Sequence, residues 1–178
     1  MLEPLLLPFR GQPTSTHLQE GYSLLDQPTL RVDALNHLLE SCGELPRSAP
    51  IWTRVIRHSA WHLVVQNPQG DWVGFVRATS DRALNANLWD LLTSPTDPAR
   101  EQVIRALVAA ALDRLRREFN GCSISISAPA EVIPALTHAG FVIDPGGIRA
   151  MGLRLSGKGR SEGPSSTGPV RPPRMIEG

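Results

Sequence analysis

The chain has 178 residues, 41% of them hydrophobic, which is enough for one core of ordinary size and too few for two well-packed domains. Lysine and arginine exceed aspartate and glutamate by 18 to 17, so a net charge of +1 provides no field to gather nucleic acid or an anionic membrane surface. The two cysteines, Cys42 and Cys122, lie far apart without short-spaced ligand partners; neither a disulfide framework nor a zinc site is indicated, and a reducing, cytosol-like compartment fits.

At the start, Leu5, Leu6 and Leu7 stand between Pro4 and Pro8, too short an apolar run for a signal-peptide core or a membrane span. Residues 1–20 are expected to be a flexible N-terminal segment. Gly21 to Leu25 reads as a short strand. A helix is expected from Pro28, with Asp26 as its capping candidate, Leu30, Ala34, Leu38 and Cys42 on one face, and Gly43 as its stop. Ile51 to His58 reads as a second helix. Trp61 to Gln66 and Trp72 to Ala78 are rich in β-formers and joined by Asn67-Pro68-Gln69-Gly70-Asp71, the turn chemistry of a hairpin. Ala86 to Thr93 is a further strand.

The stretch Pro98 to Phe119 places Ile104, Val108, Ala111, Leu115 and Phe119 on one helical face, with basic residues near its end and Asn120-Gly121 as its cap. Ser123 to Ser127 alternates as a strand, and Ala130 to Ala139 reads as a helix closed by Gly140. Phe141 to Ile143 and Met151 to Leu155 are expected as closing strands around Asp144-Pro145-Gly146-Gly147. From Gly157 the composition turns to Gly, Pro and Ser, too poor in large apolar groups to offset ordering entropy. The expected organisation is one folded α+β domain over 21–156 and a disordered, mildly basic tail over 157–178.

Two stretches carry a resemblance. Ala78-Thr79-Ser80-Asp81 followed by Asn85, Ala86, Trp89 and Asp90, and later Gly140-Phe141 with Asp144-Pro145-x-Gly147-Ile148-x-x-Met151, are similar to the GNAT acetyltransferases, in particular to their cyanobacterial and plastid, serotonin N-acetyltransferase-like branch. The resemblance implies an α+β fold with a mostly antiparallel mixed sheet, splayed between its fourth and fifth strands and flanked by helices. It also implies acetyl-CoA as cofactor and an amine acceptor, on a small molecule or a protein. The pantetheine arm would enter the splay and pair with backbone groups of Leu92 and Thr93.

Two departures from the family pattern accompany it. The family's Q/R-x-x-G-x-G/A turn lets backbone approach the cofactor's diphosphate. Here Ala99 takes the Gln/Arg position, Gln102 and Ile104 take the two glycine positions, and Arg100 takes a further glycine common in the branch. Weak or lost acetyl-CoA binding follows as an expectation, with Arg100 and Arg105 as phosphate partners or simply as exposed helix arginines. The family's acid, a Tyr after the fifth strand, falls on Ala135 or Leu136, and Tyr22 is the only tyrosine in the chain.

Asp90 is the candidate general base, or else a structural hydrogen bonder beside Trp89. Asp81 reads as a turn cap, His138 as a solvated helix end and Cys122 as a core thiol. Two functions stay open, an acetyl-CoA-dependent N-acetyltransferase with an eroded cofactor loop and a catalytically inactive scaffold used for binding or assembly. Neither nucleic acid nor membrane is an expected partner. The expected place is the cytoplasm, or the plastid stroma in a plant or alga.

Overall fold

The computed structural model describes residues 17–144. The expected Met151 to Leu155 strand, the 157–178 tail, most of the Asp144 to Gly147 turn and nearly all of the flexible N-terminal segment lie outside the described residues. The elements are β1 (Ser23–Asp26), α1 (Val32–Ser41), α2 (Ala49–Arg57), β2 (Trp61–Gln66), β3 (Trp72–Ser80), β4 (Asn85–Thr93), α3 (Arg100–Glu118) and β5 (Ser123–Ile126), then a 3-10 turn (Ala130–Val132) leading into α4 (Ile133–His138).

The strands lie side by side in chain order. Pairing is antiparallel from β1 to β4 and parallel only between β4 and β5, as the α+β expectation required. Parallel neighbours need a long crossover, and α3 supplies it. The β2–β3 hairpin forms where the turn residues place it: Asn67 Oδ1 accepts the N–H groups of Gln69 and Asp71, and Gly70 takes the positive φ of 87°.

Each face of the sheet is covered by helix. On one side α3 lays Val103, Ile104, Leu107, Ala111 and Leu115 over Leu63, Val65, Val76 and Leu88. On the other, Leu35, Leu38 and Leu39 of α1 and Trp52 of α2 pack on Val64, Trp72 and Phe75. Burial on both faces explains why β2 reads as a nearly continuous apolar run. Gly74 permits the tight approach of α3, since a Cβ there would stand 2.6 Å from Val103 Cγ1 and 2.9 Å from Leu107 Cδ1.

Three expected elements differ. The first helix begins at Val32 rather than Pro28. The carbonyl of Pro28 lies 3.1 Å from His62 Nε2, which holds that segment against the end of β2, and Asp26 is a strand residue paired with Leu63 instead of a cap. Burial pushes the His62 imidazole below its ordinary value, against the pull of that carbonyl and of Asp26. The buried face of α1 is accordingly Leu35, Leu38 and Leu39, with Ala34 and Cys42 only half-buried.

The expected Ala130 to Ala139 helix is divided. Pro134 is tolerated only in a first turn, so α4 starts at Ile133 after the tighter turn. Phe141 to Ile143 is not a strand: Phe141 packs against the core beside α3, whereas Val142 and Ile143 are exposed without ladder partners among the described residues.

Candidate functional site

The sheet opens at β4. The parallel ladder pairs Asn85 with Ser123 through Leu88 with Ile126 and stops, while β4 continues to Thr93 along β3. On the β3 side, Arg77 faces Trp89 and Phe75 faces Leu92, so Asp90 and Leu91 together oppose Val76. This two-for-one bulge puts Asp90 at φ 51°, a left-handed conformation rare for a residue with a Cβ. A bulge bends its strand and increases local twist, which separates the second half of β4 from the line of β5.

The bulge also sends Asp90 to the face that carries Arg77. Arg77 Nε donates to Asp90 Oδ2 at 2.6 Å, Nη1 donates to Ser59 Oγ at 3.4 Å, and the guanidinium carbon lies 5.7 Å from the centre of the Trp89 indole. Trp89 Nε1 donates to Thr79 Oγ1 at 2.8 Å. The candidate base therefore has one carboxylate oxygen held by a half-buried guanidinium. Such an arrangement orients Asp90 and fixes the bulge.

Beyond the bulge, Leu92 packs against the α1–α2 core, and Thr93 is buried with its carbonyl accepting from Cys42 Sγ. Thr93 Oγ1 accepts from Arg100 Nε at 3.4 Å, and Arg100 Nη2 pairs with Glu131 Oε1 at 3.3 Å. One guanidinium thus reaches from the end of β4 to the turn after β5. The loop into α3 is tied down by Asp97, whose Oδ1 accepts the Ala99 N–H at 2.9 Å and the Tyr22 O–H at 3.0 Å.

The remaining candidates divide between the first turns of α3, the core and the exposed surface. Ile104 is only 7% exposed, packed in the α3 core, so it does not stand over the start of the helix as the loop alignment implied. Gln102 is half-buried, with a buried Oε1 that has no hydrogen-bond partner among the described residues. Arg105 is exposed and pairs along the helix with Glu101 at 3.4 Å. Leu136 lies in the core and His138 is exposed at the helix end. Cys122 is half-buried against the core. Asp81 is a turn cap: its Oδ1 accepts N–H groups from Ala83, Leu84 and Asn85, which hold its carboxyl down at about 2.

Arg77, Tyr22, Asp97 and Glu131 had no signal in the sequence as site residues. Tyr22 and Asp97 are 75 positions apart, and Arg100 and Glu131 are 31 apart, so no local pattern joins them.

The mouth can be tested against acetyl-CoA. The second half of β4 lacks a β5 partner among the described residues, and an extended arm fits such an edge. For the diphosphate the match is partial, since the first turn of α3 still presents backbone N–H groups while its charged neighbours are mixed. That group needs bare backbone N–H groups and positive charge. Here a resident carboxylate already takes the Ala99 N–H, and Glu101 and Glu131 are paired with the two nearby arginines, Arg105 and Arg100. By formal charge three carboxylates stand against two guanidiniums, a balance that does not favour a strongly anionic nucleotide. Among the described residues no cluster suited to a metal ion occurs.

No family model matches the chain. It is 35% identical over 86 residues, 48% of its length and 46% of the relative's, to an uncharacterized N-acetyltransferase ycf52 of Gracilaria tenuistipitata var. liui. Over 120 residues it is 29% identical to the ycf52 protein of Porphyra purpurea, covering 66% of this chain and 68% of that one. Among solved structures, a Trypanosoma brucei acetyltransferase superposes with a TM-score of 0.60 over 75% of this chain and 99% of that one, at 18% identity, a likeness of fold alone. The chain spans 46%, 30% and 36% of the lengths of three curated relatives, the last two a chloroplastic GCN5-related N-acetyltransferase of Arabidopsis thaliana and a histone acetyltransferase of Glycine max.

Proposed function

We propose that the chain is a member of the GNAT acetyltransferase superfamily and that it serves as a non-catalytic binding or assembly module built on an acetyltransferase fold. The observation that carries this reading is Asp97: its carboxylate takes the backbone N–H at the entry to α3, where the cofactor's diphosphate would need donors and positive charge. The position of the family's acid supports it, since Leu136 is a core residue without a proton to donate. The O–H of Tyr22, the chain's only tyrosine, is taken up by a hydrogen bond donated to Asp97.

A second reading, a weak acetyl-CoA-dependent N-acetyltransferase, is favoured by the bulge at Asp90 and the unpaired edge of β4. Direct attack of an amine on a thioester draws mostly on orientation and an oxyanion donor, so a missing acid lowers the rate without abolishing transfer. In that case Leu92 and Thr93 backbone would hold the arm, Arg100, Gln102 and Arg105 would lie nearest the phosphates, and Asp90 would orient the acceptor.

Under either reading the partner is an amine or a protein rather than nucleic acid or membrane. The net charge of +1 supports this, and no helix among the described residues is long and apolar enough to cross a bilayer. The place we propose is the cytoplasm, or the plastid stroma if the source is a plant or alga.

Calorimetric titration of the full chain with acetyl-CoA separates the two functions. The binding-module reading expects a dissociation constant of about 1 mM or weaker and no thermal shift. Low-micromolar binding with a clear rise in melting temperature overturns it.

A further inference from the structure

We propose that the mouth between β4 and β5 is strapped shut from within, with Arg100 as the strap and Glu131 as its latch. This rests on the binding-module reading and supplies its physical cause. Arg100 leaves the first turn of α3 and touches Thr93 Oγ1, at the last residue of β4, and Glu131 Oε1, in the turn after β5. These are the two banks of the opening, because the β4–β5 ladder has already ended at Leu88 and Ile126. A side chain that contacts both banks occupies the passage between them.

Charge reinforces the strap. A guanidinium that faced outward would attract phosphate, but Glu131 neutralises it, and Asp97 stands in the adjoining loop with its position fixed by Tyr22 and the Ala99 N–H. The latch itself is weak. Glu131 is half exposed and the pair is 3.3 Å apart, so solvent screens it and its release disturbs no core residue. Removing Glu131 should therefore free Arg100 without unfolding the chain, and a freed Arg100 stands where an incoming phosphate would meet it.

The experiment uses the full chain and coenzyme A itself as probe, read by calorimetry. Glu131→Gln should tighten binding about tenfold relative to the parent, the effect of one unit charge near an anion, and Asp97→Asn in addition should tighten it about tenfold again. Arg100→Ala placed on the Glu131→Gln background should keep the passage open but lose the phosphate contact, leaving binding between that of the parent and that of Glu131→Gln. A control at the far end of α3, Asp113→Asn with Glu118→Gln, should leave binding unchanged.

If Glu131→Gln melts with the parent's cooperativity and binds coenzyme A no more tightly, the strap is wrong. It is equally wrong if the remote control gains as much, since net charge then explains the change. Should Asp97→Asn weaken the fold, Glu131→Gln and its Arg100→Ala partner carry the test alone. Low-micromolar binding by the parent chain ends the binding-module reading, and the strap is then judged separately by the ratio between parent and Glu131→Gln.

Discussion

Two neighbouring regions of this molecule, the bulge of β4 and the start of α3, belong to consecutive elements yet differ in what holds them. The bulge of β4 is anchored by packing: Leu88 and Leu91 lie in the α3 core, Leu92 packs toward α1 and α2, and Arg77 grips Asp90 across the strand pair. The mouth at the start of α3 is held by exposed or half-exposed polar contacts, Asp97 to Tyr22 and Arg100 to Glu131. A bulge that core residues depend on persists because losing it would move many buried groups at once. A phosphate site made of glycines and open N–H groups has no such support, and single substitutions can fill it at little cost to the fold.

The largest effect that tests this contrast comes from Ile104. Glycine there would match the turn of the GNAT resemblance, but Ile104 is a core residue in a helix. Ile104→Gly should lose about 3–5 kcal/mol from the emptied core and the cost of a helical glycine. Gln102→Gly, at a half-buried position, should lose only about 1 kcal/mol. Urea unfolding of the two variants measures both, and equal losses would mean that the start of α3 is not divided into a core side and a mouth side.

A smaller effect is expected at the bulge. Arg77→Met leaves Asp90 without its guanidinium while keeping most of the aliphatic stem, and should cost about 1–2 kcal/mol, since both side chains are mostly buried. The denaturation midpoint should fall with an unchanged slope. A change below a few tenths would place the hold on the bulge in the strands alone.

The smallest effect is a titration. Partial burial, then the hydrogen bond to Asp97 and the charge of that carboxylate, raise the Tyr22 phenol above its ordinary 10.0. A group raised in the folded state stabilises it fully below the unfolded value, and that contribution disappears as pH rises through the folded one. Because Tyr22 is the only tyrosine, phenolate absorbance reports it without overlap. Asp97→Asn should shift the titration down toward 10.0. An unmoved curve would remove the Tyr22–Asp97 tie from the mouth.

What the sequence by itself determined were the features written in short-range pattern. The β2–β3 hairpin follows from alternating apolar runs around Asn67 and Gly70, and α3 follows from a 3.6-residue apolar stripe ending before Gly121. The turn role of Asp81 follows from a short acceptor just ahead of free N–H groups. The β-rich run from Ala86 to Thr93 gave β4, and the resemblance pointed to the turn after it. Tertiary structure alone decided where the side chains of that turn point. It took Ile104 into the core, drew Tyr22 and Asp97 together, and set Arg100 against Glu131. It also delayed α1 by placing the Pro28 carbonyl against His62. The reason is physical: periodicity records which face of an element is apolar, whereas ion pairs and hydrogen bonds between distant residues depend on how the elements are brought together.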